Sequence, residues 1–183
     1  MTILLVFFLA MYAYTHMAKV SLLKSRGQKI SYQAFTEMVK RIRSAEGARI
    51  KVINGVDKVV MQLRDKILFD SGRAELTPAA IGTLEDLSNS LKLIEGDVIV
   101  QGHTDNVPVV GGRFRSNWEL SAARAFSVIE ALTKDGVPPE RLSAWGFGEN
   151  RPLVANDSEQ HRLQNRRIEI VVLKKQESVQ QRS

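Results

Sequence analysis

The 183-residue chain contains no cysteine. That absence excludes a disulfide framework, a thiol nucleophile, a cysteine metal site and a lipid-modified cysteine within it. Histidine is scarce as well, with three residues. His103 lies two positions before Asp105 and His161 is distant, so a metal site would need these and a third ligand to converge; neither metal nor cofactor is expected. Serines are plentiful, yet none stands in a nucleophile elbow. No Walker or dinucleotide fingerprint occurs, because Gly146-Phe-Gly148 leads into Glu-Asn-Arg-Pro rather than into a helix start. The neighbouring acids Glu85-Asp86 read as solvated charge on a helix face, and catalysis is not expected. No internal repeat or low-complexity tract is present.

Acidic residues are nearly missing from the beginning. Residues 1–43 hold seven Lys or Arg against Glu37 alone, and no aspartate precedes Asp57, whereas residues 44–183 hold nineteen charges of each sign. The net charge of +6 therefore belongs to the beginning of the chain, the remainder is neutral, and no nucleic-acid partner is expected.

Met1 to Tyr14 is an uncharged, largely apolar run. As a helix it would span ~21 Å, or ~27 Å if continued to Ala18, against a hydrocarbon core of ~30 Å. A cleaved signal peptide would need a basic start and a better cleavage site than the one near Ala13. The remaining readings are a transmembrane helix, or one whose beginning is absent from this chain; residues 1–18 are expected to be a partial transmembrane helix. Lys19, Lys24, Arg26 and Lys29 come after the run and none precedes it, which conflicts with export of the C-terminal part unless a basic segment normally comes first. Residues 19–47 form a juxtamembrane linker in which Ile30, Ala34, Phe35, Met38, Val39 and Ile42 recur at helical spacing. One reading is a connecting helix packed on the C-terminal domain or on a second copy.

Residues 48–173 carry the periodicities of one α/β domain, and residues 174–183 are expected to be a disordered polar tail. Strands at 49–53 and 56–63 flank Asn54-Gly55, a predicted two-residue hairpin turn. Residues 69–76 read as loop. Thr77-Pro78 starts a helix lined by Ile81, Leu84, Leu87, Leu91 and Ile94. A strand over 97–102 precedes a helix over 117–135, opened by the capping box Ser116…Glu119, striped by Trp118, Ala122, Ala125, Ile129 and Leu132, and ended by Gly136. Strands at 142–146 and 167–173, with a helical turn at 160–164 between them, complete the order. Two β-α-β units and a returning strand imply a two-layer α/β (α+β) sandwich, a mixed sheet with helices on one face.

Gly102 to Ala125 sets an acid, Asp105, at a strand end and a base, Arg124, on the next helix, a frame built to hold something between them. The spacing alone also fits an ion pair of Asp105 with Arg124 tying loop to helix, and favours it. Thr104-Asp105, Leu120-Ser-Ala-Ala-Arg124-Ala, Trp145-Gly-Phe-Gly-Glu149 with Pro152, and Asn165-Arg-Arg-Ile-Glu-Ile170 together resemble the OmpA-like peptidoglycan-binding domain over roughly residues 56 to 173. The finer pattern His103-Thr-Asp-Asn-Val-Pro108 with Ser116-Asn-Trp-Glu-Leu-Ser121 resembles the flagellar motor stator B-subunit type (MotB/PomB).

The resemblance implies that Asp105 accepts the ammonium of a stem-peptide diamino acid such as diaminopimelate, while Arg124 grips its carboxylate. The hydroxyls of Thr104 and Ser121 and the amides around Asn106 would complete the pocket. Arg166 would stand at the rim, since strand alternation sends Arg166 and Arg167 to opposite faces. Trp118, Trp145 and Phe147 are expected to pack rather than to serve as sugar platforms. The implied partners are peptidoglycan, an A-type (MotA-like) membrane subunit of the stator, and a second copy in a homodimer; the implied place is the inner membrane, with the C-terminal domain periplasmic. The juxtamembrane helix would be a plug on ion flow. In such subunits an ion-carrying aspartate stands one or two residues before a Met-Thr like Met1-Thr2, so the chain is expected to begin at an internal methionine. The alternative is an OmpA-like wall anchor without a channel role, or a stator-like unit of another ion-powered machine.

Overall fold

The computed structural model describes residues 29–42, 50–110 and 112–175. The apolar run at 1–18, its basic flank up to residue 28 and most of the tail lie outside them. Among the described residues no helix is long and apolar enough to cross a membrane.

Among the described residues five strands form one sheet in the order β1-β2-β5-β3-β4: β1 Lys51–Asn54, β2 Lys58–Arg64, β3 Val98–His103, β4 Leu142–Gly146 and β5 Arg167–Leu173. β5 is antiparallel to both β2 and β3, so those two run parallel to each other with β5 inserted between them; β3 and β4 pair directly in parallel. The chain thus makes the two β-α-β crossovers and the returning strand that its sequence implied; the structure places that strand in the gap left by the first crossover.

Alternation fixes which side of the sheet is covered. Val59, Met61, Leu63, Val98, Val100, Ile168, Ile170 and Val172 are buried on one face, and the register stacks Val59 on Val172 and Met61 on Ile170. Two helices cover that face, α3 Pro78–Leu91 and α4 Asn117–Lys134. α3 begins as its sequence required: Thr77 Oγ1 accepts from the Ala80 amide at 3.2 Å and Pro78 occupies the first turn. Its inward residues are Ala80, Leu84, Leu87 and Leu91; Ile81, expected in the stripe, is exposed.

Two further differences from the sequence expectation lie on either side of β2, and one expected helix forms. The hairpin tip is Val56-Asp57, two residues beyond the expected turn, with the Gly55 amide donating to the Lys58 carbonyl at 2.8 Å; pairing of β2 with β5 down to Lys58 sets the register instead. A short helix, α2 Asp65–Leu68, comes directly after β2, and a bridge between Phe69 and Leu76 closes the loop behind it. The helix read over 30–42 forms as α1, Tyr32–Val39, with Ser31 capping the Ala34 amide at 3.2 Å. Its Phe35 and Val39 are fully buried in the same core as Leu84 and Leu91, and Tyr32 Oη donates to the Glu95 carbonyl at 3.0 Å.

Candidate binding site

The site lies where β2, β3 and β5 deliver their ends toward the start of α4. A Cβ built on Gly102 would stand 2.0 Å from the Ser121 carbonyl oxygen, and one on Gly146 would meet Ala122 at 2.7 Å. Only glycine lets the helix backbone lie that close to β3 and β4. This contact holds Asp105, just past β3, and Arg124, one turn beyond Ser121, against one cavity of about 910 Å³.

α4 starts with the expected cap, Ser116 Oγ accepting from the Glu119 amide at 3.2 Å, while Glu119 Oε2 accepts from the Arg115 amide at 2.7 Å, one residue before the cap. The inward side of α4 is Leu120, Ser121, Arg124, Ala125, Val128 and Leu132. That stripe is turned from the expected one: Trp118 is 53% exposed and Ala122 is also outside. Arg124 therefore sits on the buried side of the helix, where its charge requires a partner.

That partner is Asp65 at the start of α2. Arg124 Nη1 donates to Asp65 Oδ2 at 3.0 Å, Nε to the Arg73 carbonyl at 2.8 Å and Nη2 to the Asp70 carbonyl at 3.4 Å. The guanidinium also lies 5.1 Å over the Phe69 ring. Burial pushes the Asp65 carboxyl up and the Arg124 guanidinium down from their ordinary values, and the attraction between them opposes both shifts.

Asp105 has a different partner. Its Oδ1 accepts from the Val107 amide at 3.0 Å and its Oδ2 from Arg166 Nη1 at 2.5 Å. Arg166 donates its other terminal nitrogen to Glu159 Oε1 at 2.6 Å. Burial works against the Arg166 charge, but the Glu159 and Asp105 carboxylates outweigh it and hold its pKa above the ordinary value. Asn117 pins the turn that carries Asp105, Nδ2 donating to the carbonyls of Asp105 at 3.3 Å and Val107 at 3.0 Å.

Thr104, Asp105, Arg124 and Arg166 thus share one cavity wall, with the apolar segment Val107–Val110 and Leu163 facing the same space. The suggested ion pair of Asp105 with Arg124 does not form; each takes another partner. Ser121 and Asn106 are not on the wall. Ser121 is fully buried behind it, its hydroxyl donating to the Trp118 carbonyl and accepting from the Gly148 amide, both at 2.9 Å. Asn106 points outward. Arg166 and Arg167 part as alternation required, Arg167 turning to Glu169 at 2.7 Å on the other side. His103 stacks on Phe147 at 5.2 Å, away from Asp105, and His161 pairs with Asp157 at 2.6 Å, so the two histidines do not converge. Asp65, Glu159 and Asn117 were not identified from the sequence. The only signal for Asp65 was an acid directly at the end of an alternating strand, where its side chain must point either into the core or along its rim.

A family model described as the OmpA family matches residues 68–166. Motility protein B of Bacillus subtilis is 33% identical over 117 residues, covering 63% of this chain and 45% of that protein. Among solved structures, the periplasmic domain of Helicobacter pylori MotB superposes with a TM-score of 0.64 at 28% identity, covering 67% of this chain and 80% of the other. The cell wall anchor of the T6SS from Pseudomonas aeruginosa superposes with a TM-score of 0.67 at 33% identity, covering 74% and 99%. The chain spans about half the length of the curated motility proteins it matches.

Proposed function

The chain belongs to the OmpA family, and on that premise we propose that it anchors a membrane complex to peptidoglycan by holding a stem peptide in the cavity between Asp105, Arg124 and Arg166. The observation that carries this reading is the arrangement of the wall itself. A buried carboxylate and two guanidinium groups face one space of about 910 Å³ beside an apolar strip from Val107 to Val110. A diamino acid of the stem peptide offers the matching groups: an ammonium and a carboxylate on one carbon, at the end of an aliphatic chain. Thr104 supports the loop, its amide donating to the Gly148 carbonyl at 3.0 Å. The test is sedimentation of the full chain, in mild detergent, with purified peptidoglycan. Wild type pellets, and Asp105→Asn leaves it in the supernatant while retaining the wild-type circular dichroism; equal pelleting of the two would remove the assignment.

The likeness to MotB of two bacteria supports the finer reading, a B-type subunit of a flagellar stator that works as a dimer beside an A-type membrane subunit, anchored in the inner membrane with this domain in the periplasm. The likeness to a type VI secretion wall anchor supports a second reading, the same anchoring in another envelope machine. Co-purification separates them: a stator subunit brings down an A-type partner, and a secretion anchor brings down none.

A further inference from the structure

Asp105 is already engaged within the site. Its side chain is 6% exposed, and Arg166 and the Val107 amide each hold one of its oxygens. A ligand ammonium that pairs with Asp105 therefore competes with Arg166 for Oδ2. Arg166 is built to yield: it is 26% exposed and its second terminal nitrogen is held by Glu159, so it can leave Asp105 without losing every partner. Arg124 has no such freedom, being 4% exposed and committed to Asp65, Arg73 and Asp70.

Resting on the stem-peptide reading of this cavity, we propose that Arg166 is a selectivity latch. It occupies Asp105 against simple amines and opens for a ligand whose carboxylate stands beside its ammonium. An amine alone exchanges one charged contact at Asp105 for another and leaves Arg166 with Glu159 only. A zwitterionic end supplies both contacts at once: the ammonium takes Asp105 and the carboxylate takes the released guanidinium, a charge-assisted bond the amine cannot make. Glu159 keeps the released Arg166 close to the cavity, so it is a positioning residue for the latch.

The probes are meso-diaminopimelate and cadaverine, the diamine left when both of its carboxyl groups are removed, titrated calorimetrically into the full chain in mild detergent. Wild type is expected to prefer diaminopimelate by about tenfold or more, the worth of one charged hydrogen bond. Arg166→Gln should bring the preference to about threefold or less, with cadaverine binding more tightly than to wild type because Asp105 is open, and diaminopimelate less tightly. Glu159→Gln, at an exposed position that leaves the fold intact, should widen the preference beyond wild type, since a released Arg166 then depends on the ligand's carboxylate alone. A preference that stays about tenfold in Arg166→Gln, or one that does not widen in Glu159→Gln, overturns the latch and assigns the carboxylate to Arg124. If wild type binds neither probe, the stem-peptide reading of the cavity falls, and the latch with it.

Discussion

Arg124 and Asp65 stand 59 positions apart and meet at 3.0 Å, both nearly out of reach of solvent. The pair joins α4 to the segment just after β2, and both members line the cavity that Asp105 also lines. Breaking such a pair from one side leaves an uncompensated buried charge, whereas replacing both members with apolar groups removes the need for compensation.

Asp65→Ala is therefore expected to lower stability by about 3–5 kcal/mol in urea denaturation. The double variant Asp65→Leu with Arg124→Met should recover most of that loss and sediment with peptidoglycan more weakly than wild type, because it removes one of the two guanidinium groups on the cavity wall. Recovery of both stability and binding would show that Arg124 serves the fold alone.

Gly102→Ala and Gly146→Ala test the close approach of α4 to the sheet. Each new methyl meets helix backbone, which cannot step aside as a side-chain tip could. A loss of about 1–3 kcal/mol or more is expected for each, with Gly102→Ala the worse because its methyl would fall 2.0 Å from the Ser121 oxygen. Peptidoglycan binding should fall with it, since this contact sets the separation of Asp105 and Arg124.

Phe35→Ala should cost about 3–5 kcal/mol, as for a large side chain deleted from a core. Phe35 and Val39 are fully buried among residues of α3, so α1 is part of the domain rather than an appendage to it. A chain beginning at residue 44 is expected to melt at a lower temperature and less cooperatively than one beginning at residue 29; identical melting curves would separate α1 from the core.

His103 is expected to make the fold sensitive to acid. Burial, then the charge of Arg167, push its pKa down to about 4. The unfolded chain binds a proton near the ordinary value of 6.5 while the folded chain does not until about 4, so acid favours unfolding between those limits. The contribution of neutral His103 is complete above about pH 6.5 and is lost progressively down to about pH 4, on the order of 3 kcal/mol in all. His103→Phe, which can keep the stacking on Phe147, should flatten the decline of melting temperature across that window. Asp65 titrates in the opposite sense, its raised pKa favouring the fold as pH falls, and comparison of the two proteins removes that common part.

Local physics decided much of this chain before any tertiary contact. Thr77, Ser116 and Gly136 end or begin helices through bonds within a few residues of themselves, and the alternation in Lys58–Arg64 and Arg167–Leu173 named the buried face of the sheet without reference to its neighbours. The order of the two crossovers and the return of β5 came from the same pattern, as did the placement of Asp105 at a strand end and the divergence of Arg166 from Arg167. What the tertiary structure alone decided is which charges meet. Asp65 reaches Arg124 and Arg166 reaches Asp105 across 59 and 61 positions, because β5 enters between β2 and β3 and brings three strand ends to one place. Ser121, suited by type to a ligand, was taken by the Gly148 amide instead, because glycines at 102 and 146 let α4 settle onto the sheet. Periodicity reports the face a side chain occupies; its partner is set by the ends of distant strands, where a buried charge accepts whichever opposite charge the topology brings within hydrogen-bond reach.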